Sequence, residues 1–93
     1  MAKDNIAWFR DDADGTQLEI YAHRVGTQWN FHCRPGRKHG RNWEWQPLVE
    51  PTLDDWLEVL DGVRRRVQRR QYLPADVTAI ETEVRKRFPK AEL

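Results

Sequence analysis

The chain has 93 residues, of which a third are charged, and a formal net charge of +1. That length suits one domain with a modest core, and the near-zero net charge excludes an overall basic coat and a long acidic tail. The single cysteine, Cys33, excludes an intrachain disulfide.

Apolar segments bear on where the protein works. The opening residues MAKDNIAWF have no apolar run of signal-peptide length, and no segment is long enough and apolar enough to cross a bilayer. We therefore expect a single cytoplasmic domain, residues 1–93, without a membrane partner.

Five tryptophans lead the aromatic content, and one buried Trp covers roughly 150–250 Å², so we expect a tryptophan-rich core.

The first predicted element is a strand over about residues 6–10, joined to the next by the turn-forming run DDADG. Its register is open. A five-residue loop points Ile6 and Trp8 inward and Phe9 outward, whereas a four-residue loop reverses them. DDADGT lacks the acidic residues that a calcium loop needs at its first and twelfth positions, so we interpret it as a turn.

A hairpin is the clearest element. The runs LEIYAHRV and QWNFHCR flank Gly26-Thr27, which predicts strands over 17–25 and 28–34 joined by a type II′ turn. This register sets Arg24 opposite Trp29 and Tyr21 opposite His32. One face then collects Leu18, Ile20, Ala22, Phe31 and Cys33, and the other collects Glu19, Tyr21, His23, Asn30, His32 and Arg34.

The stretch RPGRKHGRNWEW follows, with four arginine or lysine residues and no acid before Glu44. It predicts a basic loop and then a fourth strand over about 42–47. Because Asn42, Glu44 and Gln46 alternate with Trp43 and Trp45, we expect both tryptophans to point inward.

Two helices are predicted, over about 53–72 and 75–88. Thr52 and Asp55 resemble a capping box, Leu53, Trp56, Leu60 and Val63 follow helical spacing, and Pro74 separates the helices. Strands followed by helices indicate an α+β fold, a four-stranded antiparallel meander with both helices packed on one sheet face.

Catalysis and metal binding find little support. The hairpin register points Cys33 inward and His32 outward, so these two cannot share an ion, and zinc sites need at least three protein ligands. No nucleophile motif or phosphate-binding glycine loop occurs. We expect no enzyme activity, no metal and no cofactor.

Binding is the stronger class. The polar sheet face and the basic loop together suit single-stranded nucleic acid, because aromatic residues stack bases and cations hold phosphates. The candidate residues are Tyr21, His23, His32, Arg34, Arg37, Lys38 and Arg41.

One short motif resembles a known family. Pro35-Gly36-Arg37-Lys38, with strands before it and Trp56 early in a helix, resembles the single-strand-binding coactivators of the positive-cofactor-four type over residues 6–67. That resemblance implies a dimer joined by its helices and single-stranded DNA on the sheet. The gap between loop and helix is longer here and a second helix follows, so we do not assign the chain to that family.

The alternative is a protein–protein interaction or adaptor module that uses the arginine-rich end of the first helix and leaves self-association as a homodimer open. Unpaired arginines suit acidic partners as well as phosphates. The candidate residues there are Arg66, Arg69 and Arg70.

Overall fold

The chain divides into two compact units, Met1–Glu50 and Pro51–Leu93, which we call the strand unit and the helical unit. The structure is a computed structural model and describes residues 5–36 and 44–91. It has a four-stranded antiparallel sheet followed by two helices, so the predicted α+β class is confirmed. The packing of both helices on one sheet face stays a prediction.

The sheet of the strand unit has the order β1-β2-β3-β4, a simple meander. Its strands are β1 (Ile6–Asp11), β2 (Gln17–Val25), β3 (Gln28–Pro35) and β4 (Gln46–Pro47). The first three lie within one residue of their predicted bounds. The fourth, predicted over 42–47, is shorter, because Glu44 and Trp45 lie outside it and residues 42 and 43 lie outside the described residues.

The predicted hairpin register is confirmed throughout, from Val25 opposite Gln28 to Glu19 opposite Arg34. Gly26 has a φ of 63°, and Thr27 has no positive φ. That pattern is the one a type II′ turn requires, and only glycine adopts the first position without strain.

The ambiguity in β1 resolves in favour of the five-residue loop, because Asp11 lies opposite Gln17. The Asp12 N–H donates to the Thr16 carbonyl at 2.7 Å, and Gly15 takes a φ of 87° that closes the turn. Trp8 therefore points inward with 8% exposure, and Phe9 points outward with 58%.

The apolar sheet face carries the core of the strand unit. Its buried side chains are Ile6, Trp8, Ile20, Ala22 and Phe31. The Trp8 and Phe31 rings meet edge to face, with centroids 6.1 Å apart at 76°, an arrangement that aromatic pairs favour. The sequence alternation that defined this face therefore predicted its core.

The helical unit contains α1 (Leu53–Gln68) and α2 (Pro74–Arg87). The predicted capping box starts α1: the Asp55 N–H donates to Thr52 Oγ1 at 3.2 Å, and the Thr52 N–H donates to Asp55 Oδ2 at 2.9 Å. The apolar stripe is buried at Trp56, Val59, Leu60 and Val63, and α2 buries Ile80 and Val84. Arg64 of α1 also pairs with Glu81 of α2 at 3.2 Å.

The predicted end of α1 near residue 72 is wrong, since the helix ends at Gln68. Arg70 adopts a left-handed φ of 62°. The Gln71 N–H then donates to the Arg66 carbonyl and the Arg70 N–H to the Val67 carbonyl, which is the Schellman arrangement. Pro74 does not stop α1. It is the first residue of α2, where the Leu73 N–H donates to Asp76 Oδ2 at 2.8 Å.

Neither helix, among the described residues, combines the length and apolar character that crossing a lipid bilayer requires.

Candidate binding surface on the polar sheet face

Four of the predicted site residues lie together on one side of the sheet, which we call the polar face. They are Tyr21 and His23 of β2 and His32 and Arg34 of β3. Side chains alternate along a strand, so the confirmed register brings these four onto the same surface. The same face also includes Phe9, Glu19, Asn30 and Trp45.

Three rings of the polar face, those of Tyr21, His23 and His32, are nearly parallel to one another. Tyr21 stacks on His32 with centroids 4.9 Å apart at 11°, and on His23 at 5.8 Å and 23°. The two imidazoles are themselves 5.6 Å apart at 15°. The three centroids therefore form a triangle of offset rings, and the edges of these rings carry the polar atoms that a ligand would meet.

Trp45 overturns one prediction, because its ring lies on the polar face and not in the core. It meets Tyr21 edge on, with centroids 4.6 Å apart at 86°. Strand pairing decides this side: Gln46 lies opposite Cys33, so its neighbour Trp45 faces the same way as Arg34. The polarity of Glu44 and Gln46 alone predicted the wrong side. The other tryptophan of that prediction, Trp43, lies outside the described residues.

Arg34 is held from two directions. Its Nε donates to Glu19 Oε1 at 2.7 Å, and its Cζ lies 4.1 Å from the centroid of the Trp45 ring. Both carboxylate and guanidinium are mostly buried, with side chains 18% and 20% exposed. The arginine therefore has its charge balanced locally and its plane fixed by an aromatic ring.

His32 is the group of the polar face with a shifted pKa. Burial lowers the pKa of His32 below the ordinary value of 6.5, and the charge of nearby His23 lowers it further. Its Nδ1 atom, like that of His23, is buried without a hydrogen-bond partner among the described residues. A proton added at Nδ1 of His32 would be a buried unpaired donor, so the neutral imidazole of His32 is favoured.

Phe9 is the exposed aromatic residue of the polar face. It lies opposite Glu19 on the edge strand β1 and is 58% exposed. The sequence left open whether Trp8 or Phe9 would take this place. The loop length decided it, and the Asp12–Thr16 hydrogen bond that closes the loop cannot be inferred from the sequence.

The remaining predicted residues fall into two groups. Arg37, Lys38 and Arg41 of the basic loop lie outside the described residues. Arg66, Arg69 and Arg70 belong to the helical unit, at the end of α1. Arg66 is partly buried and donates to the Gly62 carbonyl at 3.0 Å, whereas Arg69 and Arg70 are exposed.

Within residues 5–36 and 44–91, no cluster of three or more His, Cys, Asp or Glu side chains is placed to hold a metal ion. Ile20, which lies opposite Cys33, is fully buried on the apolar face. Cys33 and His32 therefore point to opposite sides of β3, as the hairpin register predicted. The chemistry that the polar face offers is hydrogen bonding, stacking and one balanced cation.

No protein-family model, curated protein sequence or solved structure matches this chain. The resemblance to the positive-cofactor-four coactivators thus rests on the Pro-Gly-Arg-Lys motif, the strands before it and Trp56, and two residues of the motif, Arg37 and Lys38, lie outside the described residues.

Proposed function

We propose that the chain is a non-enzymatic binding module that holds single-stranded nucleic acid on its polar face. The observation that carries the proposal is the continuous ring cluster in which Tyr21 contacts His23, His32 and Trp45. Aromatic groups with polar edges, arranged across a sheet, suit unstacked bases. A duplex hides the base edges that such a surface would contact.

The mode of contact follows from ring orientation. Tyr21 lies within a cluster of rings, and its hydroxyl is the polar group through which it can contact a base. That hydroxyl makes no hydrogen bond among the described residues and is available to a base carbonyl or ring nitrogen. Phe9, with 58% exposure, supplies the open ring on which a base can stack.

The charges of the polar face suggest that another segment contacts the phosphate groups of the nucleic acid. Arg34 is neutralised by Glu19, and burial and His23 lower the pKa of His32, which favours its neutral form. The polar face therefore offers little net attraction for phosphate. We assign that contact to Arg37, Lys38 and Arg41 of the basic loop, whose charges would contribute affinity that falls steeply with salt and does not depend on base sequence.

Fluorescence anisotropy with labelled single-stranded DNA, single-stranded RNA and duplex DNA tests the proposal. We expect both single strands to bind more tightly than the duplex. Tyr21→Phe keeps the ring stack and removes only the hydroxyl, and it should weaken binding about 5- to 10-fold, the value of one hydrogen bond. Tyr72→Phe removes the same atom from the helical unit and should leave the affinity unchanged.

Two results would count against the proposal. Equal affinity for duplex and single strand would show that base edges are not contacted. Equal affinity of the Tyr21→Phe and parent proteins would show that the polar face is not the binding surface. Unchanged affinity after Arg37 and Lys38 are both replaced by Ala would remove the basic loop from the site.

A second candidate function is binding of an acidic protein through the end of α1. Arg69 and Arg70 are exposed there and form no ion pair with another described residue, whereas the neighbouring Arg65 pairs with Asp61 at 3.3 Å. Such a partner would tolerate moderate salt and leave oligonucleotides unbound. The anisotropy series therefore separates the two functions.

A further inference from the structure

The edge of the sheet at β1 lacks three of the features by which proteins protect an edge strand, although it carries the charged residues Arg10 and Asp11. Among the described residues, no strand pairs with β1 on the side away from β2. The segment Ile6–Asp11 contains neither proline nor lysine, and its register with β2 runs residue for residue without a bulge. Prolines, lysines and bulges are the common means of blocking further strand addition.

The backbone hydrogen bonds show which residues of β1 present their amides to that open side. The Asp12 N–H donates to the Thr16 carbonyl, so the even-numbered residues of β1 bond to β2. In an antiparallel pair, residues that bond to the neighbouring strand alternate with residues that do not. The backbone N–H and C=O groups of the odd-numbered residues Ala7, Phe9 and Asp11 therefore point away from β2. A second hydrogen bond supports this assignment, because the Gly36 N–H donates to the Gln17 carbonyl. The odd-numbered residues of β2 therefore bond to β3, and its even-numbered residues bond to β1.

The same three residues are exposed at the side chain. Phe9 is the large one among them, and it is 58% exposed. A large aromatic side chain beside unpaired amide groups is the combination that favours pairing with another strand.

We propose that β1 pairs antiparallel with β1 of a second copy of this chain, about a two-fold axis at Phe9. Outward-directed residues must then face each other. This register sets Phe9 opposite Phe9 of the second copy and Ala7 opposite Asp11. Closed two-fold symmetry of this kind is the commonest form of homo-oligomer.

Charge and ring contacts select this register over the neighbouring one. With Phe9 on the axis, Arg10 lies opposite Trp8 of the second copy, and no like charges face each other. With Trp8 on the axis, Arg10 would lie opposite Ile6, which offers it no polar partner. The Phe9 register also pairs the two most exposed rings of the edge.

Pairing at this edge has a consequence for the polar face. Two four-stranded sheets would become one continuous sheet, with both polar faces on the same side because the two Phe9 rings share it. The dimer does not depend on the proposed function. If nucleic acid does bind there, one strand can contact both copies, and the second contact becomes intramolecular.

Sedimentation equilibrium of the full chain, without nucleic acid, tests the dimer. We expect a mass of twice 11.2 kDa, reduced to the single-chain value in Phe9→Lys and in Ala7→Pro. The proline removes an N–H that points away from β2, so circular dichroism should be unchanged. Val25→Lys is the matched control, because Val25 is 55% exposed at the hairpin end of β2, away from this edge, and that variant should stay dimeric.

A cross-link tests the register. In a Cys33→Ser background, Phe9→Cys should form a disulfide between copies, since opposed residues of a hydrogen-bonded pair lie about 5.5 Å apart at Cα. Asp11→Cys is equally exposed at this edge, but its two copies would lie about 14 Å apart and should not cross-link.

A parent protein that stays monomeric up to about 1 mM, or a dimer whose mass is unchanged in Phe9→Lys, would overturn the proposal. A dimer in which Asp11→Cys cross-links faster than Phe9→Cys would overturn the register. None of these measurements uses an oligonucleotide, so failure of the dimer and failure of nucleic-acid binding are separate results.

Discussion

The guanidinium of Arg34 lies over the indole of Trp45, with its Cζ 4.1 Å from the ring centroid. The same side chain bonds Glu19 at 2.7 Å, so one arginine links three segments of the strand unit: β2, β3 and the residues before β4. This contact anchors Trp45 on the polar face, where strand pairing places it.

Removal of Arg34 should therefore destabilise the protein measurably. We expect Arg34→Ala to lower the free energy of unfolding by about 1–2 kcal/mol, because it removes a cation–π contact and leaves the Glu19 carboxylate without its partner. Arg34→Lys should lose part of this, since an ammonium cannot lie flat over the ring. Urea unfolding followed by circular dichroism measures both.

Arg65 provides the control for that experiment. It pairs with Asp61 at 3.3 Å, but both side chains are more than 60% exposed, and exposed ion pairs contribute little. Arg65→Ala should change the free energy of unfolding by less than about 0.5 kcal/mol. If Arg34→Ala and Arg65→Ala lower the free energy of unfolding equally, the burial of the Arg34–Glu19 pair does not contribute to stability.

The side of the sheet that Trp45 occupies shows where sequence reasoning ends. Alternation fixed both faces of the β2–β3 hairpin, because a two-residue turn at Gly26-Thr27 leaves no freedom in the register. The strand after the basic loop has no such constraint. Its side of the sheet depends on which residue meets Cys33, and the sequence between the two strands does not reveal that.

The helical unit shows the same division. The start of α1 was predictable, because the Thr52–Asp55 capping box depends on two residue types three positions apart. Its end was not, because Arg70 takes a left-handed conformation that sequence reasoning assigns to glycine. Among the site residues, Tyr21, His23, His32 and Arg34 were predicted together by the hairpin, whereas the contribution of Trp45 was missed.

Acid should destabilise the strand unit through His32. The pKa of His32 is lowered in the folded protein by burial and by His23, so the unfolded chain binds the proton more tightly. The stability that the neutral imidazole contributes is complete above the unfolded pKa of 6.5 and is lost as the pH falls toward the folded pKa. Urea unfolding at about pH 7.5 and pH 5.5 measures this loss.

His32→Phe is the companion variant, because phenylalanine keeps a ring against Tyr21 and cannot be protonated. Its loss of stability between the two pH values should be smaller than that of the parent protein. If both proteins lose the same amount, the acid sensitivity originates elsewhere in the chain.

The capping box of α1 should carry a large share of the stability of that helix. Asp55 is fully buried, and its carboxylate accepts the Thr52 N–H at 2.9 Å. We expect Asp55→Ala to cost about 1–2 kcal/mol in the free energy of unfolding, because a cap is lost inside a buried site. Thermal or urea unfolding provides the measurement.

Asp54 is the matched control for the capping box. It lies in the same first turn and is exposed, so Asp54→Ala removes the favourable interaction with the helix dipole but no buried hydrogen bond. Its effect should stay below about 1 kcal/mol. A cost for Asp54→Ala as large as that for Asp55→Ala would assign the effect to charge in the first turn rather than to the cap.

Arg70 is a position where substitution should stabilise the protein. Its φ of 62° places Cβ in a conformation that L-residues adopt at a cost, and glycine adopts it freely. Arg70→Gly should therefore raise the free energy of unfolding by about 0.5–1 kcal/mol. Arg69, the preceding residue, has a φ of −91°, so Arg69→Gly gains nothing from the left-handed region and should lower stability by increasing the freedom of the unfolded chain. Urea unfolding of the two variants gives opposite signs if the Schellman end of α1 is correct, and the same sign if it is not.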